Sequence, residues 1–355
     1  LPMDAIAQCG LAVERTRWGN EPRETEMDLP GWPHRSSPFH AGERLAQERA
    51  GKRELMESAG RRVVRAEMPE QHRTFFAQLP FMVMGALDRQ GTPWATVLSG
   101  APRFAHAPDP RRLRIDAHLR ADDPLAGAMA AGADIGLLGI ELHTRRRNRL
   151  NGTIAALDAS GMTVEVRQSF GNCPRYIQLR DLEPVASGTG TRASVWQSDQ
   201  LDDAGAAMIG EADTLFIATH YQDASEPDAA GADVSHRGGK PGFVRVDDSR
   251  TLTFPDFNGN AYFNTIGNLV VNPRAGLLAI DFRSGTLLHV AARAEVIWEG
   301  PEVALYRGAE RLVRLHIERV IRRPGAMPLR ATFVGMSPVL ERTGDWSGVT
   351  APNRV

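Results

Sequence analysis

Apolar and polar residues follow two rhythms along this chain, and the same succession occurs twice. Residues 1 to about 43 hold no period, being broken by Gly19, Pro22, Pro30, Gly31, Pro33 and Pro38. Trp32, Phe39 and His40 nevertheless need somewhere to bury, which predicts an arm docked on the body. Helical spacing follows over 43–65, with Leu45, Leu55 and Met56 set against Glu, Lys and Arg, and again over 70–79, where Phe75, Phe76 and Leu79 are core anchors. From Pro80 the period shortens to that of strands. Residues 81–87 and 92–99 flank the turn D-R-Q-G and read as a hairpin. Residues 111–119 alternate, 123–129 start a short helix, 135–142 suit a buried strand, and 153–157 and 162–166 form another hairpin.

After a Ser/Gly/Thr-rich linker at 184–192 the order starts again. A helix is predicted over 199–212, strands over 215–220, 287–293, 294–298, 313–322 and 329–333, and a short helix over 302–312. In position, 81–99 corresponds to 215–246 and 135–166 to 275–297. Two small β-barrels of one type explain this order, with a single large mixed sheet as the alternative. The expected fold is mainly β with peripheral helices, as tandem split barrels. Its parts are an arm and helical extension (1–69), a first barrel-like domain (70–183), a second (193–334) and a tail (335–355).

Composition narrows the function classes. The 355 residues are 42% apolar and 24% charged, with a formal net charge of −1. That balance suits a globular protein and argues against a general nucleic-acid surface. Two cysteines, Cys9 and Cys173, exclude a disulfide scaffold and a cysteine-rich metal site, so a cytoplasmic setting is expected. No stretch approaches the roughly 18 apolar residues of a spanning helix. The ten histidines form no H-x-x-x-H or H-E-x-x-H pattern, and the glycines form no Walker or dinucleotide fingerprint. No metal is expected.

The densest candidate chemistry lies in 233–280. Its turn S-H-R-G-G-K offers Arg237 as a planar fork and Lys240 as a point charge, beside His236 and two glycines that let backbone approach a ligand closely. Asn260, Asn264 and Asn268 recur at intervals of four, but Gly259 and Gly267 interrupt them, so this segment reads as a loop or short capped turn. Side-chain amides match a polar ring rim, the compact Thr265 hydroxyl suits a phosphate, and Arg274 stands at the mouth of a strand. Each has a plain alternative: a charged hairpin turn, backbone capping, or an ordinary salt bridge. Arg145, Arg146, Arg147 and Arg149 form a possible second anion site or a charged loop. Cys173 reads as a packed thiol. No residue is assigned as a catalytic base.

Seven phrases carry a resemblance: SPFHAGE (37–43), MPEQHRTFFAQL (68–79), GIELHTRRRNRLNG (139–152), SFGNCPRYIQ (169–178), DVSHRGGKPGFV (233–244), PDFNGNAYFNTIGN (255–268) and NPRAGL (272–277). With them the chain resembles the FMN-binding split-barrel family related to pyridoxamine 5'-phosphate oxidase, and in particular its two-barrel members. The resemblance implies bound flavin mononucleotide (FMN), held by His236, Arg237, Lys240, Asn260, Asn264, Thr265, Asn268 and Arg274. It also implies a homodimer that completes the site across subunits. The activity implied is an FMN-dependent oxidoreductase supplied by a nicotinamide nucleotide or a separate reductase. A non-catalytic flavin-binding or sensing module and a ligand-free structural homodimer are the alternatives.

Overall fold

The computed structural model describes residues 31–185 and 194–346. Most of the irregular N-terminal stretch, Cys9, most of the proposed linker and the last part of the tail therefore lie outside the described residues.

The first sheet contains β1 (Phe81–Leu87), β2 (Pro93–Ser99), β3 (Ala105–Asp109), β4 (Arg112–Ile115), β5 (Asp134–Glu141), β6 (Arg146–Asp158) and β7 (Gly161–Gly171). Its spatial order is β2-β1-β5-β6-β7-β4-β3. After β8 (Leu179–Pro184) and β9 (Trp196–Ser198) comes a second set: β10 (Thr214–Tyr221), β11 (Gly231–Gly238), β12 (Arg245–Asp248), β13 (Thr251–Phe257), β14 (Arg274–Asp281), β15 (Thr286–Ile297) and β16 (Ala309–Arg323). The order β11-β10-β14-β15-β16-β13-β12 repeats the first, with β9 added against β16. Finally β17 (Leu329–Gly335) pairs with β8, tying the end of the second unit to that of the first.

Helices are peripheral: α1 (Ala41–Arg49), α2 (Arg53–Val63), α3 (Glu70–Gln78), α4 (Asp203–Glu211), α5 (Asn264–Val271) and α6 (Pro301–Leu305). A mainly β chain with peripheral helices is what the alternation predicts. The tandem split barrels are not found: neither sheet closes, and β2, β3, β11 and β12 remain edges. Turn signals specify which strands are neighbours but not whether the outer strands meet. Here β2 packs against β14 and β11 against β5 of the opposite sheet instead of bonding round to β3 and β12.

Strand periodicity explains how the two sheets share one interior. Met82 and Met84 of β1 face the core of the first sheet, whereas Phe81 and Val83 face a core between the sheets. In the second sheet Leu215 and Ile217 face its own core, and Phe216 and Ala218 the shared one. Alternate residues thus enter two different cores, so these strands read as continuous apolar runs. The sheet-to-sheet contact is reciprocal. A Cβ on Gly136 of β5 would collide with Ala232 and Asp233 of β11, and one on Gly276 of β14 with Pro93 and Trp94 of β2.

Other expectations need correction. The single helix at 43–65 is two, α1 and α2, separated at Gly51, whose φ is 65°. The helix at 302–312 stops at Leu305, and β16 begins at Ala309 because Leu312, Val313 and Leu315 supply the second core. Residues 123–129 form turns rather than a helix. The segment around Asn264 is a true helix, α5. Gly267 does not break it but lets it touch α1: a Cβ there would collide with the Glu43 backbone, and one on Gly42 with Gly267 O. The arm docks through a small cluster of Trp32, Phe39, Met56, Val64, Phe170 and Tyr262.

Candidate functional site

A cleft opens where β6 of the first sheet faces β11, β13 and the start of α5, with a cavity volume of about 100 Å³. Five cations (Lys52, Arg147, Arg149, Arg237 and Arg311) and two carboxylates (Asp256 and Glu310) line it. The excess of positive charge comes from both sheets of one chain.

Arg149 is 3% exposed and anchors the floor. It pairs with Asp233 at 2.8 Å and donates to Asn264 Oδ1 at 2.7 Å and to Ser235 Oγ at 2.5 Å. Burial lowers its pKa, with Asp233 opposing that shift. A guanidinium remains charged even so. Its Nε has no hydrogen-bond partner among the described residues, and neither does Arg237 Nε. Arg237 lies 3.5 Å from Asp256, whose other oxygen accepts from Arg311 at 2.8 Å.

His236 Nδ1 lies 3.1 Å from Arg147 Nη1. Arginine can only donate, so Nδ1 accepts and the ring proton sits on Nε2. Burial, followed by the charges of Arg147 and Arg237, holds the ring far below the ordinary histidine pKa, so it is a neutral donor and not a proton acceptor at neutral pH. Nε2 has no partner among the described residues.

The start of α5 completes the cleft. Its N-cap, Phe263, has φ 64° and supplies no side-chain cap. The first N–H groups of a helix have no partner within it, and here they belong to cleft-lining residues Asn264, Thr265 and Ile266. Thr265 is 2% exposed and its hydroxyl has no hydrogen-bond partner among the described residues. Left-handed backbone recurs in the walls at Tyr176 (φ 66°), Ala261 (φ 60°) and Phe263. Such residues cost roughly 1–2 kcal/mol each and persist where surrounding structure holds them. Tyr176 stacks on Phe257 with centroids 5.1 Å apart and donates to Asn258 O at 2.9 Å.

The structure sorts the sequence candidates. His236, Arg237, Asn260, Asn264 and Thr265 line the cleft, joined by Arg147 and Arg149 from the arginine run. Three others are turned elsewhere. Lys240 donates to Thr343 O at 2.9 Å, Asn268 to Thr219 Oγ1 at 2.8 Å, and Arg274 to Gly91 O at 3.3 Å. Arg145 is spent on Ile177 O and Met336 O, and Arg146 lies over the Phe75 ring. The arginine run is thus divided between this cleft and other contacts. Cys173 is a buried thiol.

Sequence reasoning missed Glu43, Lys52, Asn172, Tyr176 and Arg311. A signal existed for Glu43: His40 caps α1 and Glu43 closes the capping box three residues on. Arg311 has none, being one of many charges in a long strand. A larger groove of about 930 Å³, between α3, the β2–β3 turn and the β8–β17 ladder, has mostly apolar walls and holds none of the candidates. Among the described residues no cluster of His, Cys, Asp and Glu could hold a metal, and no helix is long and apolar enough to cross a membrane.

Comparison with known proteins adds little to this geometry. No family model matches the chain. No curated protein matches it. Among solved structures, a putative pyridoxamine 5'-phosphate oxidase from Lactobacillus delbrueckii is 23% identical with a TM-score of 0.27, covering 35% of this chain and 94% of its own. HupZ of Group A Streptococcus is 13% identical with a TM-score of 0.27, covering 39% and 98%. A FAD-binding protein from Mesorhizobium loti is 14% identical with a TM-score of 0.24, covering 37% and 97%. Each of these likenesses covers little more than a third of the chain, at a TM-score below 0.5.

Proposed function

We propose that the cleft binds the phosphate end of FMN and that the protein is a flavoprotein, working as an oxidoreductase on a substrate still to be found. The observation that carries this reading is the uncapped start of α5 with the buried, unpartnered Thr265 hydroxyl, walled by Arg147, Arg149 and Arg237. Helix N–H groups, a hydroxyl and guanidinium forks together are the donor set an oxyanion requires. The identity of the ligand rests on the resemblance carried by the phrases at 233–244 and 255–268.

A cavity of about 100 Å³ holds a phosphate group, whereas sites for whole drug-sized ligands run to roughly 300–1,000 Å³. The enclosed part therefore takes the phosphate, and the rest of the ligand extends outside it. Thr265, Arg237 and Arg149 would hold the phosphate oxygens, and Asn260 and the neutral His236 would donate to polar atoms farther along. When bound, the flavin supplies electron or hydride transfer. The surrounding residues bind, orient and shield it, and a nicotinamide nucleotide or separate reductase is the proposed electron source.

The test is mass spectrometry of small molecules released from natively purified protein, with fluorescence titration of FMN into stripped protein. Retained FMN, or saturable binding weakened by Thr265→Val, supports the reading. Protein that neither retains nor takes up FMN rejects it.

A further inference from the structure

Glu43, in the first turn of α1, stands behind the cleft wall and is bonded to its lining residue Asn264. It is 4% exposed, and each carboxyl oxygen accepts one hydrogen bond: Oε2 from the His40 N–H at 2.9 Å and Oε1 from Asn264 Nδ2 at 2.5 Å. Asn264 in turn accepts from Arg149, so its amide is held from both sides. The glycine contact between α1 and α5 lies at this carboxyl's own residue, leaving the two backbones no room to separate the pair by sliding.

We propose that Glu43 is a positioning residue of the cleft whose carboxyl takes up a proton when a phosphate-bearing ligand binds. This rests on the phosphate-binding reading above. The argument is one of charge. The five cations of the cleft stand against Asp256 and Glu310 of its lining and Asp233 and Glu43 beside them, so with every group ionised the cluster carries +1 before any ligand arrives. A phosphate dianion beside Arg149 brings that total to −1, and protonating Glu43 returns it to zero.

The groups facing Glu43 are His40 from the arm, Asn264 from α5, Asp233 from β11 and Arg149 from β6. Burial above all raises the Glu43 pKa to about 8, while burial lowers His40 to about 4, with Glu226 and Arg44 as its charged neighbours. Between pH 7 and 9 the histidines facing the cluster thus stay neutral, and a phosphate monoester, whose second pKa is about 6, stays a dianion. Glu43 is left as the titrating member of the cluster.

Calorimetric titration of FMN into the full chain at pH 8.5, in two buffers of different ionisation enthalpy, counts the protons taken up. Uptake of roughly half to one proton per FMN is expected at pH 8.5, falling towards zero at pH 6.5. Glu43→Gln removes the titrating group while its single carbonyl oxygen keeps one of the two hydrogen bonds, and it should bind FMN with no uptake. FMN binding without buffer-dependent uptake in the wild-type chain overturns the proposal, as does unchanged uptake in Glu43→Gln. If that variant fails to fold, the wild-type chain still decides, because its log Kd must rise with pH above about 8 with a slope approaching one. Failure of both FMN and inorganic phosphate to bind at either pH removes the phosphate reading itself, and this proposal with it.

Discussion

At matching strand positions the two sheets carry opposite chemistry. Gly85 pairs with Ala95 and Gly136, and Ala218 with Val234 and Gly276, so Thr96, Val97 and Leu98 occupy the places of Ser235, His236 and Arg237. Following the ladders outward, Arg147 and Arg149 correspond to Leu287 and His289, and Asn172 to Arg323. The cleft therefore has a counterpart on the other side of the sheet-to-sheet contact. There the long Arg323 side chain fills the space, donating at 2.6 Å to both Asp122 and Asp123, while Thr96 donates to Asp123 at 2.5 Å. In the cleft the shorter Asn172 leaves room, and cations face a void. The repeat supplied two equivalent places: in one Arg323 is held by two aspartates, and in the other Arg149, Arg237 and Arg311 pair with Asp233 and Asp256 around a cavity that stays open.

The largest expected effect tests the closed side. Arg323 and Asp123 are each 2% exposed at the side chain, and removing one partner of a buried pair leaves an uncompensated charge. Arg323→Ala should cost about 3–5 kcal/mol in denaturant unfolding. It should leave FMN affinity unchanged, with one FMN bound per chain in the wild type. Two FMN per chain, or a stable Arg323→Ala chain with altered affinity, would erase the distinction drawn between the two places.

Acid exposes the next difference. Burial lowers His289 on the closed side and His72 beneath the first sheet to about 4, and holds His236 in the cleft well below the ordinary histidine value. Their folded pKa values lie below the unfolded value near 6.5, so the stability they contribute is complete above pH 6.5 and lost as pH falls through 4. Together they should remove several kcal/mol by about pH 4. His289 donates to Ala95 O at 3.0 Å, a bond that glutamine can replace. His289→Gln should move the acid unfolding midpoint, followed by circular dichroism, to lower pH without changing FMN affinity at pH 7. An unmoved midpoint would mean that His289 is not among the groups driving acid unfolding.

How much of this was legible in the sequence depended on range. Continuous apolar runs such as 81–87 and 215–220 marked strands whose alternate faces feed two cores, and the repeated order of helix, hairpin and strands was visible from turns. Closure was not, because whether β2 meets β3 depends on the opposite sheet. Gly267 was misread as a breaker because its purpose, contact with Glu43, lies 224 residues away in the chain. The charges of 233–244 marked the region of the site but could not separate Arg237, which lines the cleft, from Lys240, which reaches Thr343. The joining of Arg149 to Ser235 spans 86 residues and left no local pattern.

Within the cleft the arginines should differ from the lysine at its mouth. Arg237→Ala removes a charged donor from a partly buried place, and charge-assisted hydrogen bonds of this kind contribute about 1.5–3 kcal/mol. FMN affinity should fall roughly 10- to 100-fold, with a smaller change in stability than Arg323→Ala; unchanged affinity would reject a direct phosphate role for Arg237.

Lys52 is the smallest and most discriminating case. It precedes α2 as its N-cap, makes no side-chain cap, and reaches the cleft as a half-buried cation on a flexible stem. Interactions between solvent-facing charges contribute about 0–1 kcal/mol and are screened over about 8 Å at physiological salt. Lys52→Ala should therefore weaken FMN binding only a few-fold at low salt, and not at all near 1 M, where screening acts over about 3 Å. The effect of Arg237→Ala should survive that salt, because a direct hydrogen bond in a partly buried wall is screened much less. If both variants lose their effect together as salt rises, the cleft attracts anions only through its general field, and the contrast with its closed counterpart reduces to one of charge rather than of a built site.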